Sequence, residues 1–504
     1  MTLTEPSVTV LNPLTRELVG EVPEHSAEQV ATVVAGLRAQ QAHWQGLGVA
    51  GRTRWLAKYR DWLLDNQERL AELLRSETGK PYAEALVELP FVIDELNYYG
   101  RHAAEFLADE QPRPHGLLTA GRRITVRHEA YPVVGVISPW NFPVALTLWD
   151  AIPALFAGSA VIVKPSEHTP LTVRAAVDGW RSIGAPQVFE TVTGAGATGA
   201  AVVDTVDFLQ FTGSVRTGRV IAEQAARRLI PVSLELGGKD PAIVLADADL
   251  ERAAAGVAFG ALVNSGQMCV STERIYVEES VHDRFVELLV DQVSALRQNN
   301  FDGFDTELSG LITDEQFEIV QRHVEDALER GATVRHGGKP GMQPGFFEPT
   351  VLTDVDHSML VMREETFGPV LPVMRARDAD QAVELANDTE YGLAATVWAG
   401  STARAQQIAH RLQVGAVDVN DSAAAHLICF VAPMSGWKSS GIGGRFGKEG
   451  IRKYCRTRTV VSSLPGTATM AQQSWFPYSA ARSAFFGKFM RLTGGRDIRR
   501  RLGL

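Results

Sequence analysis

The chain has 504 residues, 45% of them hydrophobic and 21% charged, with 45 glycines and 24 prolines. That composition excludes disordered, collagenous and coiled-coil proteins and leaves room for roughly two to four ordinary domains. Basic residues number 49 against 59 acidic ones, a net charge of −10, so no nucleic-acid partner is expected. The cysteines, Cys269, Cys429 and Cys455, are too few and too scattered for a disulfide framework or a thiolate metal cage, which points to a reducing, cytoplasmic compartment and no metal.

In chain order, the opening MTLTEPSVTVLNP has no basic segment leading into an apolar one, and no export signal is expected. Ser26 and Gln29 form a capping-box pattern ahead of Val30, Val34, Leu37 and Trp44, which predicts a helix over about 26–45. Trp55, Tyr59, Trp62, Leu63, Leu70 and Leu74 predict a second, ending at Gly79-Lys80-Pro81. Residues 130–149 are uncharged but interrupted by Pro132, Pro139, Asn141 and Pro143, so they read as strand, loop and helix start rather than a membrane span. From 131 the runs VVGVIS, AVIVK, VFETVTG and DFLQFTG alternate with helical stretches, predicting βαβ units and a parallel sheet. PVSLELGG then leads into PAIVLAD and a second α/β series with helices near 250–263 and 281–298, placing a domain change near 236. Pro465–Gln473 is linker-like, and no internal repeat is present.

Several residues have the chemistry of a site. Gly194-Ala195-Gly196-Ala197-Thr198-Gly199 satisfies GxGxxG between strand and helix, but the next strand ends in Phe211-Thr212-Gly213 without the expected acid, so a tight turn competes with phosphate binding. Gly213-Ser214 opens another helix, where free amides attract an anion. Lys164 and Glu167 leave a strand end as either a solvated pair or a ligand site. Cys269 is a buried hydrophobe or a nucleophile. Glu235, inside the apolar run Val232–Leu236, is a carboxylate that burial would turn into a general base.

Together these residues resemble the aldehyde dehydrogenase superfamily from about 8 to 463. The motifs come in order: Glu77-Thr78-Gly79-Lys80-Pro81, Pro139-Trp140-Asn141-Phe142-Pro143, Lys164-Pro165-Ser166-Glu167, Phe211-Thr212-Gly213-Ser214, Leu234-Glu235-Leu236-Gly237-Gly238-Lys239, Gly266-Gln267-Met268-Cys269, Glu365-Thr366-Phe367-Gly368-Pro369 and the Gly/Ser-rich stretch 433–450. The resemblance implies an α/β protein with a Rossmann-related NAD-binding domain (1–116 and 132–236), an α/β catalytic domain (237–432) and a small β oligomerisation arm (117–131 and 451–463), assembled as a homodimer or homotetramer. It implies Cys269 as nucleophile, Asn141 as oxyanion donor and Glu235 as the base that hydrolyses a thioester to the free acid. For NAD, with NADP also admitted, it implies Lys164 and Glu167 at the adenosine ribose, Gly213 and Ser214 at the pyrophosphate, and Glu365 and Phe367 at the nicotinamide ribose. Trp140 and Gly196 complete the expected cofactor set.

General similarity, including Asn387–Thr402, is nearest to the succinate-semialdehyde branch. That branch typically sets arginines against the substrate carboxylate at positions held here by Trp149 and Val263, so an apolar aliphatic or aromatic aldehyde is expected. Succinic semialdehyde, CoA-dependent oxidation and a catalytically silent relative are the alternatives. Beyond Pro465 the sequence turns basic and aromatic: from Arg482 onward it has seven cations and one acid, Asp497, interleaved with Phe485, Phe486, Phe489, Met490 and Leu492. This 466–504 tail is expected either to dock on a neighbouring subunit or to lie in an anionic membrane interface.

Overall fold

A computed structural model describes residues 6–116, 119–299, 303–423, 425–464, 472 and 475–502. The linker-like segment 465–473 therefore lies outside the described residues except for Gln472. Two compact units form, one from residues up to 106 with 130–454 and one from 107–129 with 455 onward.

The first unit contains both large sheets. One has six strands in the order Gly441–Ile442, Val232–Glu235, Phe208–Thr212, Val133–Ile137, Ala160–Lys164, Phe189–Thr191. The other has seven, in the order Thr333–His336, Thr350–Thr353, Val370–Ala376, Thr272–Glu278, Asp240–Val244, Ala394–Trp398, Ala416–Val419. All neighbours run parallel except the outer strands Gly441–Ile442 and Thr333–His336. The inner strands are buried along their length, as their continuous Val/Ile/Leu runs require when helices cover both faces. The sheets change at 236, where Val232–Glu235 belongs to the first and Asp240–Val244 to the second.

The capping box forms as expected: Gln29 N donates to Ser26 Oγ and Ser26 N to Gln29 Oε1, starting Ala27–Gly46, which buries Val30, Val34, Leu37 and Trp44. Where one helix is predicted over 55–78 there are two, Gly48–Asp65 and Gln67–Thr78, broken at Asn66. The apolar stripe runs across the break, so periodicity alone does not reveal it. Gly79, at φ 69°, ends the second helix in the left-handed conformation that glycine takes without strain.

The helix Pro143–Ala157 is buried at every position. Its free N-terminal amides have no side-chain cap of their own. Instead Glu88 Oε2, from the helix Tyr82–Phe106, accepts from Val144 N at 3.1 Å and Ala145 N at 3.0 Å. Lys80 Nζ balances that buried charge at 2.6 Å from Glu88 Oε1, donates to the Asn141 carbonyl at 2.8 Å and lies 4.1 Å from the Phe142 ring centre. Glu77 caps Leu171–Ser182 in the same way, through Leu171 N and Thr172 N.

In the second unit, Arg122–Ala130 pairs with Cys455–Ser463, whose residues are mostly exposed. The tail forms the helices Ala480–Gly494 and Ile498–Leu502, neither with a buried residue. Among the described residues no helix is long and apolar enough to cross a membrane, and no group of His, Cys, Asp or Glu is arranged to hold a metal.

Because Lys80 and Glu88 are both fully buried, Lys80→Met should strand the Glu88 carboxylate at a cost of about 3–5 kcal/mol. Thermal unfolding should show Tm falling by several degrees, and an unchanged Tm would remove the pair from the fold's supports.

Candidate functional site

The carboxyl end of the six-stranded sheet meets the amino end of the seven-stranded one, because only Leu236–Lys239 separates Val232–Glu235 from Asp240–Val244. Glu235 ends its strand at this seam. Gly213 N donates to the Glu235 carbonyl at 3.1 Å, which places the Phe208–Thr212 strand end beside it. On the opposite side, loops that precede strands deliver Cys269 ahead of Thr272–Glu278 and Glu365 to Phe367 ahead of Val370–Ala376.

Two glycines let these loops touch. A Cβ on Gly238 would stand 2.6 Å from the Cys269 carbonyl and 2.8 Å from Asp240 Oδ1, and one on Gly237 would collide with the Glu365 carboxylate. Glu365 Oε1 accepts from Gly238 N at 3.0 Å. Burial pushes the Glu365 carboxyl up to about 8.

The approach to Cys269 is strained. Asn264, Ser265 and Gly266 take φ of 53°, 55° and 76°, three consecutive left-handed residues of which only the glycine is at ease. Such a turn persists only when its surroundings hold it. Glu84 accepts from Asn264 N, Asn264 Nδ2 donates to the carbonyls of Asn141 (3.0 Å) and Gln267 (3.2 Å), and Ser265 Oγ donates to Ser309 O (2.9 Å). Asn141 Nδ2 donates to Gln267 O at 2.9 Å, fixing its amide two residues from Cys269 and leaving one N–H free.

Electrostatics follow burial. Desolvation pushes the Cys269 thiol up to about 12 against the pull of Arg445, with Asp240, Glu235 and Glu365 adding to the rise. Desolvation also pushes Glu235 up to about 7, with Arg445 and Lys453 opposing it. Among the described residues, both Glu235 oxygens, Asn141 Oδ1 and Trp149 Nε1 are buried without a hydrogen-bond partner. Buried polar atoms in that state call for a ligand or water.

The expected cofactor residues line the first sheet's carboxyl end. Lys164 Nζ is 3.1 Å from Glu167 Oε2, and although burial opposes it, that lysine holds Glu167 below the usual carboxylate range. Ser214 is the N-cap of the 14-residue helix Val215–Arg228 and accepts from Thr217 N. Phe367, at φ 51°, meets Trp140 edge-on at 5.6 Å. Glu273 holds that turn, accepting from Thr366 N and Phe367 N, with buried Lys239 as its counter-ion. A cation–carboxylate pair, a helix N-terminus and a second carboxylate in sequence fit the two riboses and pyrophosphate of a dinucleotide. Gly196 stands apart: it is exposed, follows the edge strand Phe189–Thr191, and its turn is tied to His25 through Thr193 and Thr198.

Trp149 is buried among Phe430 (6.0 Å), Phe446 (5.4 Å) and Phe91 (6.4 Å), and half-buried Val263 caps the helix Leu250–Leu262. Neither brings a cation. Sequence reasoning missed Glu84, Asn264, Asp150, Arg445 and Lys453. Asp150 was within reach, being the one acid in the apolar helix Pro143–Ala157, open to the same argument as Glu235.

The aldehyde dehydrogenase family profile matches residues 2–460. A Mycolicibacterium smegmatis protein provisionally named succinate-semialdehyde dehydrogenase [NADP(+)] is 43% identical over 89% of this chain and 87% of its own. A Methylomonas protein named 4,4'-diapolycopene aldehyde oxidase is 37% identical over 97% of this chain and 92% of its own. Among solved structures, lactaldehyde dehydrogenase from Escherichia coli aligns with TM-score 0.87 at 33% identity, covering 91% of this chain and 96% of that one. The chain belongs to the aldehyde dehydrogenase family. It is an NAD(P)-dependent oxidoreductase acting on aldehydes.

Since a Cβ at Gly238 must displace the Cys269 backbone, Gly238→Ala should lower kcat by about a hundredfold, the scale of a 1 Å misplacement at a reacting centre, without loss of fold. Wild-type kcat in a folded Gly238→Ala enzyme would show that this contact does not aim the cysteine.

Proposed function

We propose that the protein oxidises an apolar aliphatic or aromatic aldehyde to its carboxylic acid, with NAD preferred over NADP, at a membrane surface. Cys269 Sγ attacks the aldehyde carbon and the carbonyl π electrons move onto oxygen, while the thiol proton passes to water as the C–S bond forms, because the half-buried thiol does not ionise unaided. The free Asn141 N–H and the Cys269 amide hold the oxyanion. The nicotinamide, when bound, supplies the hydride acceptor. Glu235 then takes a proton from water, which attacks the thioester and releases Cys269.

Lys164 and Glu167 hold the adenosine ribose, Gly213 and Ser214 with the helix amides the pyrophosphate, and Glu365, Phe367 and Trp140 the nicotinamide ribose, without Gly196. An ionised Glu167 accepts from a ribose diol and repels a 2′-phosphate, which favours NAD although the M. smegmatis relative is named for NADP. Residues 237–432 form the catalytic part against a cofactor part in 1–116 and 132–236, and the exposed Cys455–Ser463 strand with 117–131 joins subunits into a homodimer or homotetramer.

The observation that carries the substrate reading is the aromatic enclosure of Trp149 by Phe430, Phe446 and Phe91. A carboxylate placed there without a cation would cost a few kcal/mol, roughly a hundredfold in specificity. The tail supports delivery from a bilayer. On Ala480–Gly494, Phe485, Phe486, Phe489, Met490 and Leu492 share one side by helical spacing, Phe485 stacking on Phe489 at 6.5 Å, with Arg482 in the first turn of that side, Lys488 at its edge and Arg491 opposite. Trp475, Phe476 and Tyr478 are exposed before it. A match over 97% of the chain necessarily enters this tail, and the relative so matched is named for 4,4'-diapolycopene aldehyde.

Cys269→Ala should abolish turnover while cofactor binding persists. Glu235→Gln should leave or enlarge a burst of reduced cofactor and slow the steady state; unchanged steady-state turnover would remove Glu235 from deacylation.

With either NAD or NADP, kcat/KM for hexanal or benzaldehyde should exceed that for succinic semialdehyde, and the reverse order would overturn the apolar reading. Full-length protein should co-sediment with phosphatidylglycerol vesicles at low salt, and a chain ended after Pro465 should not. Absence of vesicle binding by the full-length protein would end the membrane reading.

A further inference from the structure

The side chains behind Glu235 form one buried polar group. Alternate residues of a strand face the same side, so Ser233 and Glu235 share a face, and their parallel partners Gln210 and Thr212 share it on Phe208–Thr212. Lys453 lays its ammonium on that face, 2.8 Å from Gln210 Oε1, 3.4 Å from Ser233 Oγ and 3.3 Å from Asp150 Oδ1. Asp150 also accepts from Arg445 Nη2 at 2.7 Å, Arg445 Nε at 3.1 Å and the Tyr454 hydroxyl at 3.1 Å, and Arg445 donates to Thr212 Oγ1. Glu95, from Tyr82–Phe106, faces the same group with both oxygens unpartnered.

The charges do not cancel among themselves. Burial, reinforced by Asp150, drives Glu95 well above the usual carboxylate range, so it is neutral. Tyr99 and Tyr454 are driven upward by burial and are neutral as well, as is the Cys269 thiol. Asp150, although buried, is held low by Arg445 and Lys453 and remains ionised. Burial, with Arg445, draws Lys453 below the usual lysine range, and Asp150 and Glu235 are the groups that hold its proton on. The cations Arg445 and Lys453 thus face one permanent anion, and a buried charge is tolerated only when it is paired. Glu235, two residues along the face from Ser233, is the group left to balance the second cation.

We propose that Lys453 is the counter-charge of the general base, a positioning residue that keeps the Glu235 carboxylate ionised through its field rather than by direct contact. This rests on the reading of Glu235 as the base. Arg445 is already matched by Asp150 through two donor atoms, so Lys453 supplies the unbalanced charge. Removing it leaves Arg445 and Asp150 neutral as a pair, and desolvation then raises the protonation midpoint of Glu235 above its present value near 7. The base form would appear only at higher pH.

The test is the pH dependence of the steady-state rate after the burst, in full-length wild type, Lys453→Met, Lys453→Gln and Lys453→Arg, with Glu235→Gln measured alongside. Lys453→Met and Lys453→Gln should move the acidic limb upward by about one pH unit, a tenfold loss below it, with the burst of reduced cofactor retained. Lys453→Arg should restore the wild-type limb. Lys453→Gln keeps partners for Gln210 and Ser233, so it carries the test should Lys453→Met fail to fold. An unmoved limb in the uncharged variants overturns the proposal, as does an equal shift in Lys453→Arg, which would mark a packing role. Wild-type turnover in Glu235→Gln would instead overturn the base reading itself, whereas collapse of Glu235→Gln beside an unmoved Lys453→Gln limb would sink only this inference.

Discussion

The site depends on how little chain separates the two sheets. Leu236–Lys239 is all that lies between Val232–Glu235 and Asp240–Val244, and four residues reach at most about 14 Å. The carboxyl end of one sheet is therefore pressed against the amino end of the other. Groups from strand ends (Lys164, Gly213, Glu235) then face groups from loops that precede strands (Gly238, Cys269, Glu365, Phe367). No side chain larger than hydrogen fits at 237 or 238 without displacing Glu365 or the Cys269 backbone, so the sharpness of the seam and its two glycines are one requirement.

Buried charge then sets the positions. Lys80 with Glu88 fixes the turn that presents Asn141, Lys239 with Glu273 fixes Phe367, and Arg445 with Asp150 ties Pro143–Ala157 to the strand beside Glu235. Desolvation makes such pairs poor sources of stability. Their hydrogen bonds are directional, however, and each specifies one arrangement of a loop that apolar packing would leave free. The strained turn Asn264–Gly266 is kept by the same means, through Glu84 and the Asn264 amide. The low dielectric that these pairs tolerate also raises Glu235 and Cys269, so positioning and proton affinity have a common cause.

The second unit obeys different chemistry. Its tail helices bury nothing, and their aromatic and cationic residues contrast with a body of net negative charge. Exposed apolar and cationic surface of that kind is typical of interaction sites.

The sequence by itself determined the family, the α/β alternation, the change of sheet near 236 and the ordered residues Asn141, Glu235 and Cys269. These are local facts: periodicity, capping and motif spacing are set by neighbours in the chain, as the Ser26–Gln29 box and the fully apolar strands show. The sequence also hinted at Glu235 as a base, because a lone acid in an apolar run predicts its own burial. It did not show the break at Asn66, since the apolar stripe passes through it unchanged. Nor did it reveal that Asp150, Arg445, Lys453 and Glu95, drawn from three separate stretches, form one buried polar group, or that Glu84 steadies the turn before Cys269. Those relations depend on which atoms water cannot reach, and desolvation is a property of the packed whole that only the tertiary structure decides.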